Sequence, residues 1–263
     1  MPGPLSHRLI HLIAHRGNAR DFPENTLPAL QSAVELGIRF IEFDVQLSAD
    51  GVPVVIHDDE LARTTGIAGS VFDYSAQELA AIDAGERARF EHRFEGVRIP
   101  LLSDVVGFLA ERREITAFVE IKRASLRRFG PEVVVPKILE VLKPIRSRCV
   151  VISFDLPALN MARQQGGAAI GWVLSEYDGH SRLKFEALKP DFLFCDHEKL
   201  PRDESRLWRG PWRWAIYEVD SIELALSLAV RGVDFIETMA VAPMIDAFRN
   251  RAARSGKRGD APL

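Results

Sequence analysis

Apolar, β-branched runs alternate along the chain with amphipathic segments. Eight runs have the length and composition of buried strands: Leu9–Ala14, Arg39–Val45, Thr116–Ile121, Cys149–Phe154, Ala168–Leu174, Asp191–Cys195, Arg213–Val219 and Asp234–Thr238. Helical periodicity lies between most of them, as in Thr26–Leu36, Pro131–Leu142, Leu156–Gln164 and Ile222–Val230. Strand–helix alternation predicts a parallel sheet with helices outside it. Eight such units favour an α/β fold of the (β/α)8 TIM-barrel type over an open doubly wound sheet.

One interval interrupts this rhythm after the second strand. Asp50-Gly51 separates that strand from a further apolar run, Pro53–Ile56, and Asp-Gly between two such runs is typical of a tight β-hairpin. Residues from about 60 to 100 show only weak helical periodicity and are predicted to form an insertion at the top of the barrel. We expect residues 1–250 to form one domain and residues 251–263, rich in Arg, Lys, Gly and Ala, to be disordered.

The composition is that of a globular protein. Of the 263 residues 47% are hydrophobic and 27% charged, and the net charge of −3 gives no general attraction to nucleic acid or anionic lipid. No apolar run approaches the roughly 20 residues of a membrane span, and the N-terminus lacks the pattern of a signal peptide. Two cysteines exclude a disulfide framework and favour a reduced, cytoplasmic location. None of these features predicts an oligomeric state.

Polar side chains follow the carboxyl ends of the predicted strands, where barrel enzymes build their sites. Residues two apart on a strand share a face, so Glu42 and Asp44 point the same way, as do Glu120 and Lys122, while the residues between them face the helices. The first strand ends in His-Arg-Gly and the hairpin in His-Asp-Asp. One opening is therefore predicted to collect three carboxylates, two cations and two histidines: Glu42, Asp44, Glu120, Arg16, Lys122, His15 and His57.

This combination predicts phosphoester cleavage. Three carboxylates without thiolates suit Mg²⁺ or Ca²⁺ rather than Zn²⁺, and the lysine and arginine suit an anionic substrate. Two histidines can exchange protons near neutral pH. A Glu-x-Asp pair alone is usually solvated or salt-bridged, but inward acidic residues on two adjacent barrel strands are costly to bury without a partner.

The same residues lie within motifs that occur in order along roughly residues 9–245. The motifs are Ile13-Ala14-His15-Arg16-Gly17, Pro23-Glu24-Asn25-Thr26, Ile41-Glu42-Phe43-Asp44-Val45, Pro53-Val54-Val55-Ile56-His57-Asp58-Asp59, Arg63-Thr64-Thr65, Ile99-Pro100-Leu101, Val119-Glu120-Ile121-Lys122, Ser153-Phe154-Asp155 and Gly232-Val233-Asp234. In these motifs the chain resembles the glycerophosphodiester phosphodiesterase family.

The resemblance implies a (β/α)8 barrel that hydrolyses a small-molecule glycerophosphodiester to sn-glycerol 3-phosphate and an alcohol, with a divalent cation. It implies that His15 and His57 form the acid–base pair. The metal ligands that it implies are Glu42, Asp44 and Glu120, and the phosphate contacts are Arg16 and Lys122.

The chain departs from the family pattern near the ends of its last two strands. Tyr217, followed by Glu218, stands where the family usually has Trp, and Glu237-Thr238-Met239 stands where it often has Thr-Asp. We expect these positions to line the pocket away from the metal. Tyr217 is therefore predicted to contact the substrate and to influence the choice of headgroup.

Two other functions fit the same barrel. A phospholipase D-like lyase acting on lysophospholipids would need an apolar channel, and the insertion offers only scattered apolar residues. A non-catalytic phosphodiester-binding barrel would be expected to have lost a histidine or a ligand, and none is missing. The order of acid and base, and the choice between water and a glycerol hydroxyl as nucleophile, stay open.

Overall fold

A closed parallel barrel forms the centre of the molecule. The computed structural model describes residues 10–202 and 207–254. These residues form nine strands: β1 (His11–Ala14), β2 (Phe40–Leu47), β3 (Pro53–Val55), β4 (Thr116–Ile121), β5 (Cys149–Ser153), β6 (Ala169–Val173), β7 (Phe192–Asp196), β8 (Arg213–Tyr217) and β9 (Phe235–Thr238). All except β3 are parallel, and the ring closes because β1 pairs with both β2 and β9. The predicted barrel is confirmed.

Helices cover the outside of this barrel, apart from three short ones that lie in the insertion after β3. The helices are α1 (Leu27–Glu35), α2 (Ala62–Thr65), α3 (Ala76–Leu79), α4 (Arg87–Phe90), α5 (Leu102–Ala110), α6 (Arg123–Phe129), α7 (Pro131–Leu142), α8 (Leu156–Gly166), α9 (Gly179–Leu188), α10 (Ile222–Arg231) and α11 (Val241–Arg254). Short 3₁₀ turns occupy Val71–Asp73, Lys143–Arg148 and His197–Lys199. The side chains of Thr26, Asp155 and Ser221 accept backbone N–H bonds at the starts of α1, α8 and α10, which fixes where those helices begin.

The predicted hairpin is the only antiparallel strand pair among the described strands. β3 returns against the end of β2, with Val45 opposite Val55. Gly51 has a φ of 72°, which the tight turn requires. The insertion that follows carries α2, α3 and α4 and has its own small buried core: Val54, Ile56, Leu61, Val71, Ala76, Leu79, Ile82, Ala84 and Ile99.

Side chains alternate between two core layers along the strands. Phe118 is fully buried inside the barrel, and the ring of Phe40 packs near it with 6.5 Å between the ring centroids. Phe43 and Ile121 belong to the layer between strands and helices. Because of this alternation, the side chains of Glu42, Asp44 and Glu120 point toward the barrel axis.

Aromatic residues fill the outer layer beneath α9. Trp214 is buried there, and the Trp212 ring lies 4.4 Å from that of Phe185, a residue of α9. Tyr177 stacks on Trp208 at 3.8 Å. These tryptophans therefore pack under a helix.

The last described helix, α11, extends further than the sequence analysis expects. Residues 251–254 were predicted to be disordered, yet they form its final turn. Met244 and Ile245 anchor the helix in the core, and arginine and alanine favour its continuation. Residues 255–263 of the predicted tail lie outside the described residues. No helix in the described ranges has the length and apolar character needed to cross a bilayer.

Candidate active site

The carboxyl ends of β2 and β4 bring three predicted ligands together. One carboxylate oxygen each from Glu42, Asp44 and Glu120 lies within 4.8 Å of the other two. Glu42 and Asp44 are each 1% exposed, and Asp44 is paired in register with Glu120. The structure therefore assembles the acidic cluster that the strand periodicity predicts.

The loop after β1 places Arg16 and His15 against Glu42. Gly17 has a φ of 80°, and a Cβ there would lie 2.6 Å from the carbonyl carbon of Ala29, so only glycine fits. Arg16 has a φ of 55°, and its backbone N–H donates to Glu42 Oε2 at 3.1 Å. His15 Nε2 lies 3.9 Å from the same oxygen.

Asp44 is held from every side. Asn25 Nδ2 donates to Asp44 Oδ2 at 2.8 Å, and the Asp44 N–H donates to Asn25 Oδ1 at 3.0 Å. Arg16 Nε lies 3.3 Å from Oδ2 and Lys122 Nζ 3.1 Å from Oδ1. Burial raises the pKa of Asp44, but Lys122 and Arg16 outweigh it and hold this pKa well below its usual value. Asp44 is therefore ionised.

Glu42 and Glu120 carry the opposite perturbation. Burial and the neighbouring Asp44 raise the pKa of Glu42 well above its usual value, and Glu42 Oε1 is buried without a hydrogen-bond partner. Burial also raises the pKa of Glu120, although Lys122 at 2.9 Å opposes the shift. Three converging carboxylates with an unpartnered buried oxygen fit a divalent cation that prefers oxygen ligands.

The two predicted phosphate contacts are ion-paired in this structure. Lys122 bridges Asp44 and Glu120, and Arg16 contacts both Asp44 and Glu24. Burial lowers the pKa of Lys122, but the two carboxylates raise it by more than burial lowers it. The ammonium therefore stays charged. Both cations lie at the edge of the acidic cluster, and their contact with phosphate stays a prediction.

His57 follows β3 and is oriented by its neighbours. Its Nδ1 lies 2.6 Å from Asp58 Oδ1, and its carbonyl oxygen accepts a hydrogen bond from Gln46 Nε2 at 3.1 Å. Arg63 Nε donates to the other oxygen of Asp58. Asp58 thus contacts Nδ1 and not Nε2 of this ring, and the catalytic role of His57 stays a prediction.

Glu24 connects the insertion to the acidic cluster. Arg63 donates to both of its oxygens, at 2.9 and 2.6 Å, and Arg16 donates to Oε1 at 3.1 Å. Burial raises the pKa of Glu24, but Arg63 and Arg16 outweigh it and lower this pKa. Glu86, from the insertion, accepts the Glu24 N–H. The sequence placed Glu24 in a motif but gave it no role.

Comparison with known proteins identifies the family. Residues 15–178 match the sequence model of the Glycerophosphoryl diester phosphodiesterase family. The chain belongs to this family. A glycerophosphodiester phosphodiesterase from Caldanaerobacter subterraneus is 38% identical over 146 residues, 55% of this chain and 58% of that protein. The aligned region thus spans less than two thirds of this relative.

Solved structures agree with the barrel over nearly the whole chain. A phosphodiesterase from Oleispira antarctica, in complex with the product sn-glycerol-3-phosphate, is 26% identical with a TM-score of 0.79, covering 92% of this chain and 97% of that one. A glycerophosphodiester phosphodiesterase from Thermotoga maritima, 22% identical, has a TM-score of 0.70 and covers 92% and 99% of the two chains. The second likeness shows the fold alone.

One position at the end of β9 differs from the expectation drawn from the sequence. Glu237 is 3% exposed, and its ligand atom lies within 4.8 Å of those of His15 and Glu42. The prediction that this position lies away from the metal ligands is therefore wrong. Alternation along β9 could have shown it, since Phe235 faces the barrel interior and Glu237 is two residues later. Burial and Glu120 raise the pKa of Glu237 well above its usual value.

Tyr217 and Glu218 lie beside Glu237 at the end of β8. Tyr217 packs against the inner core of the barrel, and burial and Asp196 raise its pKa. Glu218 has a half-exposed side chain whose Oε1 lies 3.7 Å from His15 Nδ1. Burial raises the pKa of Glu218. The sequence placed Tyr217 in the pocket but assigned Glu218 no role.

Proposed function

We propose that this chain is a metal-dependent glycerophosphodiester phosphodiesterase that hydrolyses glycerophosphodiesters to sn-glycerol 3-phosphate and an alcohol. The observation that supports this most strongly is the convergence of Glu42, Asp44 and Glu120 within 4.8 Å, with His15 3.9 Å from Glu42. The Oleispira antarctica relative holds sn-glycerol-3-phosphate as its product. A cytoplasmic location belongs to the same proposal, supported by the two free, buried cysteines.

The three carboxylates would hold Mg²⁺ or Ca²⁺. A divalent cation bound there supplies Lewis-acid stabilisation of negative charge on the phosphoryl oxygens. Asn25 and the side chains of Arg16 and Lys122 hold Asp44 as an ionised ligand. The backbone N–H of Arg16 fixes one oxygen of Glu42. The chain therefore orients its oxygen ligands in advance.

The two histidines exchange protons with the reacting oxygens. Burial and the nearby Arg16 lower the pKa of His15 well below its usual value, so its imidazole is neutral at pH 7 and can accept a proton from the nucleophile. The nucleophile is water or the neighbouring glycerol hydroxyl. His57, whose Nδ1 is bound to Asp58, gives a proton from Nε2 to the departing oxygen.

Arg16 and Lys122 stabilise the charge that grows on the phosphoryl group. Both are held in a mouth of buried carboxylates, where their charges are screened less than in water. Lys122 lies beside Glu120 and Asp44, so a phosphoryl group bound at these ligands would be within its reach. Every glycerophosphodiester carries that group, whereas Tyr217 lies toward the headgroup in this proposal.

The decisive experiment is a hydrolysis assay on protein stripped of metal with EDTA. Glycerophosphocholine, glycerophosphoethanolamine and glycerophosphoglycerol are offered, each cation is added back, and released sn-glycerol 3-phosphate is measured. We expect activity to return with Mg²⁺ or Ca²⁺ in the wild type and to be cut in Glu42→Gln. Glu35→Gln, which removes an exposed carboxylate on α1, serves as the matched control.

Each outcome separates one part of the proposal. Full activity after exhaustive EDTA treatment would refute the proposed role of the cation. If no substrate released glycerol 3-phosphate, the result would favour a non-catalytic phosphodiester-binding barrel. Preferential turnover of a lysophospholipid to a cyclic phosphate would identify a lyase. Against the lyase, three of the apolar residues of the insertion contribute to its own core, since Val71 is fully buried and Phe72 and Tyr74 pack on it.

Headgroup choice is tested by Tyr217→Trp in the same panel. Tyr217 lies on β8, across the barrel from β4, which carries Glu120. We expect this substitution to change the ranking of the three substrates more than their common rate. An equal scaling of all three would show that Tyr217 does not contact the headgroup.

A further inference from the structure

The backbone of Glu218 has a conformation that is usual for glycine and unfavourable for glutamate. Its φ of 60° places a non-glycine residue in the left-handed region, which is unfavourable for an L-residue and persists where surroundings hold it, often at functional sites. Its side chain is 46% exposed and makes no hydrogen bond with the described residues. Neither burial nor hydrogen bonding of the side chain therefore explains why glutamate is held here.

The side chain faces a buried atom that lacks a partner. His15 is 8% exposed, and its Nδ1 is buried without a hydrogen bond. Glu218 Oε1 lies 3.7 Å from this atom, on the opposite side of the ring from Glu42. A buried ring nitrogen without a partner is costly, and a small rotation of the half-exposed glutamate would satisfy it.

The other histidine of the site shows the completed form of this arrangement. His57 Nδ1 contacts Asp58 Oδ1 at 2.6 Å. A carboxylate at Nδ1 holds a proton on that nitrogen and fixes the orientation of the ring. Hydrogen bonds of this type are often long in a free enzyme and shorten when substrate binds.

We propose that Glu218 is a positioning residue that accepts a hydrogen bond from His15 Nδ1–H and so holds Nε2 unprotonated toward the reacting group. The role rests on the proposed function, because it gives His15 the tautomer that a proton acceptor requires. It also accounts for the strain, because the left-handed backbone at the end of β8 aims the carboxylate at His15.

The first test separates strain from function. Glu218→Gly removes the carboxylate and relieves the backbone, so we expect a melting temperature about 2–4 °C higher together with a kcat about 10- to 100-fold lower and a KM changed by less than about twofold. Lys189→Gly is the matched control, because Lys189 has a φ of 50° at the end of α9 and takes no part in the site. It should raise the melting temperature without changing kcat.

The second test reads the tautomer directly and does not depend on activity. Two-bond ¹H–¹⁵N spectra of protein labelled at the histidine ring nitrogens are recorded for the wild type, Glu218→Gln and Glu218→Gly, with His15→Gln to assign the signal. We expect His15 to carry its proton on Nδ1 in the wild type and in Glu218→Gln, which keeps an acceptor oxygen. Glu218→Gly should lose this preference, and kcat should follow the same order.

The proposal is overturned if His15 has the same tautomer in all three proteins, or if Glu218→Gly retains wild-type kcat. A protein that hydrolyses no glycerophosphodiester, yet shows the expected change of tautomer, would refute the proposed function and leave the pairing intact. Unfolding of Glu218→Gly at or below the wild-type temperature would refute the claim that the backbone is strained for this contact.

Discussion

Removal of the Asn25 side chain should destabilise the barrel and weaken its cation site together. Asn25 is 2% exposed and makes two hydrogen bonds with one residue, donating to the Asp44 carboxylate at 2.8 Å and accepting from the Asp44 N–H at 3.0 Å. It also has a φ of 58°, a conformation that asparagine tolerates better than alanine. Asn25→Ala therefore removes two interactions and adds backbone strain.

The expected magnitude follows from these three terms. The bond to the ionised carboxylate contributes about 1.5–3 kcal/mol, and leaving the buried Asp44 N–H unpaired costs about 1–3 kcal/mol. Alanine in the left-handed region adds about 1 kcal/mol. The free energy of unfolding should fall by about 3.5–7 kcal/mol, a large part of the 5–15 kcal/mol that such proteins possess.

The assay is urea unfolding of cation-free protein, followed by tryptophan fluorescence. Asn25→Gly loses the same hydrogen bonds without the strain, so it should be about 1 kcal/mol more stable than Asn25→Ala. Asn160→Ala, at an exposed position of α8, is the control and should change stability little. Titration of the folded variants with cation should show about 10- to 100-fold weaker binding for Asn25→Gly. The reasoning is refuted if Asn25→Ala loses less than about 1 kcal/mol, or if the glycine variant is the less stable one.

Three further results are expected. His15→Ala and His57→Ala should each lower kcat about 10²–10⁴-fold, and the double variant should lose far less than the product, as steady-state assays can show. Lys122→Met should lower kcat/KM by a similar factor of about 10- to 150-fold for all three glycerophosphodiesters; a reordering of substrates would contradict its phosphate role. Since the pKa of Glu24 is lowered, its ion pair gives stability that is present above about pH 4.5 and lost as pH falls. Arg63→Met should therefore lose more unfolding free energy at pH 7 than at pH 3.5, and an equal loss would exclude the pairing.

Most of the barrel could be predicted because parallel strands buried on both faces have nearly continuous apolar sequences. Each of the eight predicted runs contains or overlaps one strand of the ring. The hairpin could also be predicted, since Asp50-Gly51 is a local turn signal. Period-two alternation then placed Glu42 and Asp44 on the inner face without any tertiary information.

The contacts between the site residues could not be predicted in the same way. Arg63 and Glu24 are 39 positions apart, and their pairing depends on how the insertion packs over the mouth. Arg16 lies next to a predicted catalytic histidine, yet its guanidinium turns to carboxylates because its φ of 55° and the glycine after it redirect the loop. The inward position of Glu237 could be predicted from its alternation with Phe235. The comparison with the family pattern instead led us to expect it away from the metal ligands.

The distribution of charge across the mouth explains why this site suits a cation. Arg16 and Lys122 both lie against Asp44, whose pKa is therefore lowered despite its burial. Glu42 and Glu237 are buried beside other carboxylates, and their pKa values are raised well above the usual value. A buried carboxyl group without a counter-charge must hold a proton or face a cation. Under the proposed function Glu42 would face the cation as one of its ligands, and the neighbouring His15, whose pKa is lowered by burial, is neutral and accepts a proton from the nucleophile.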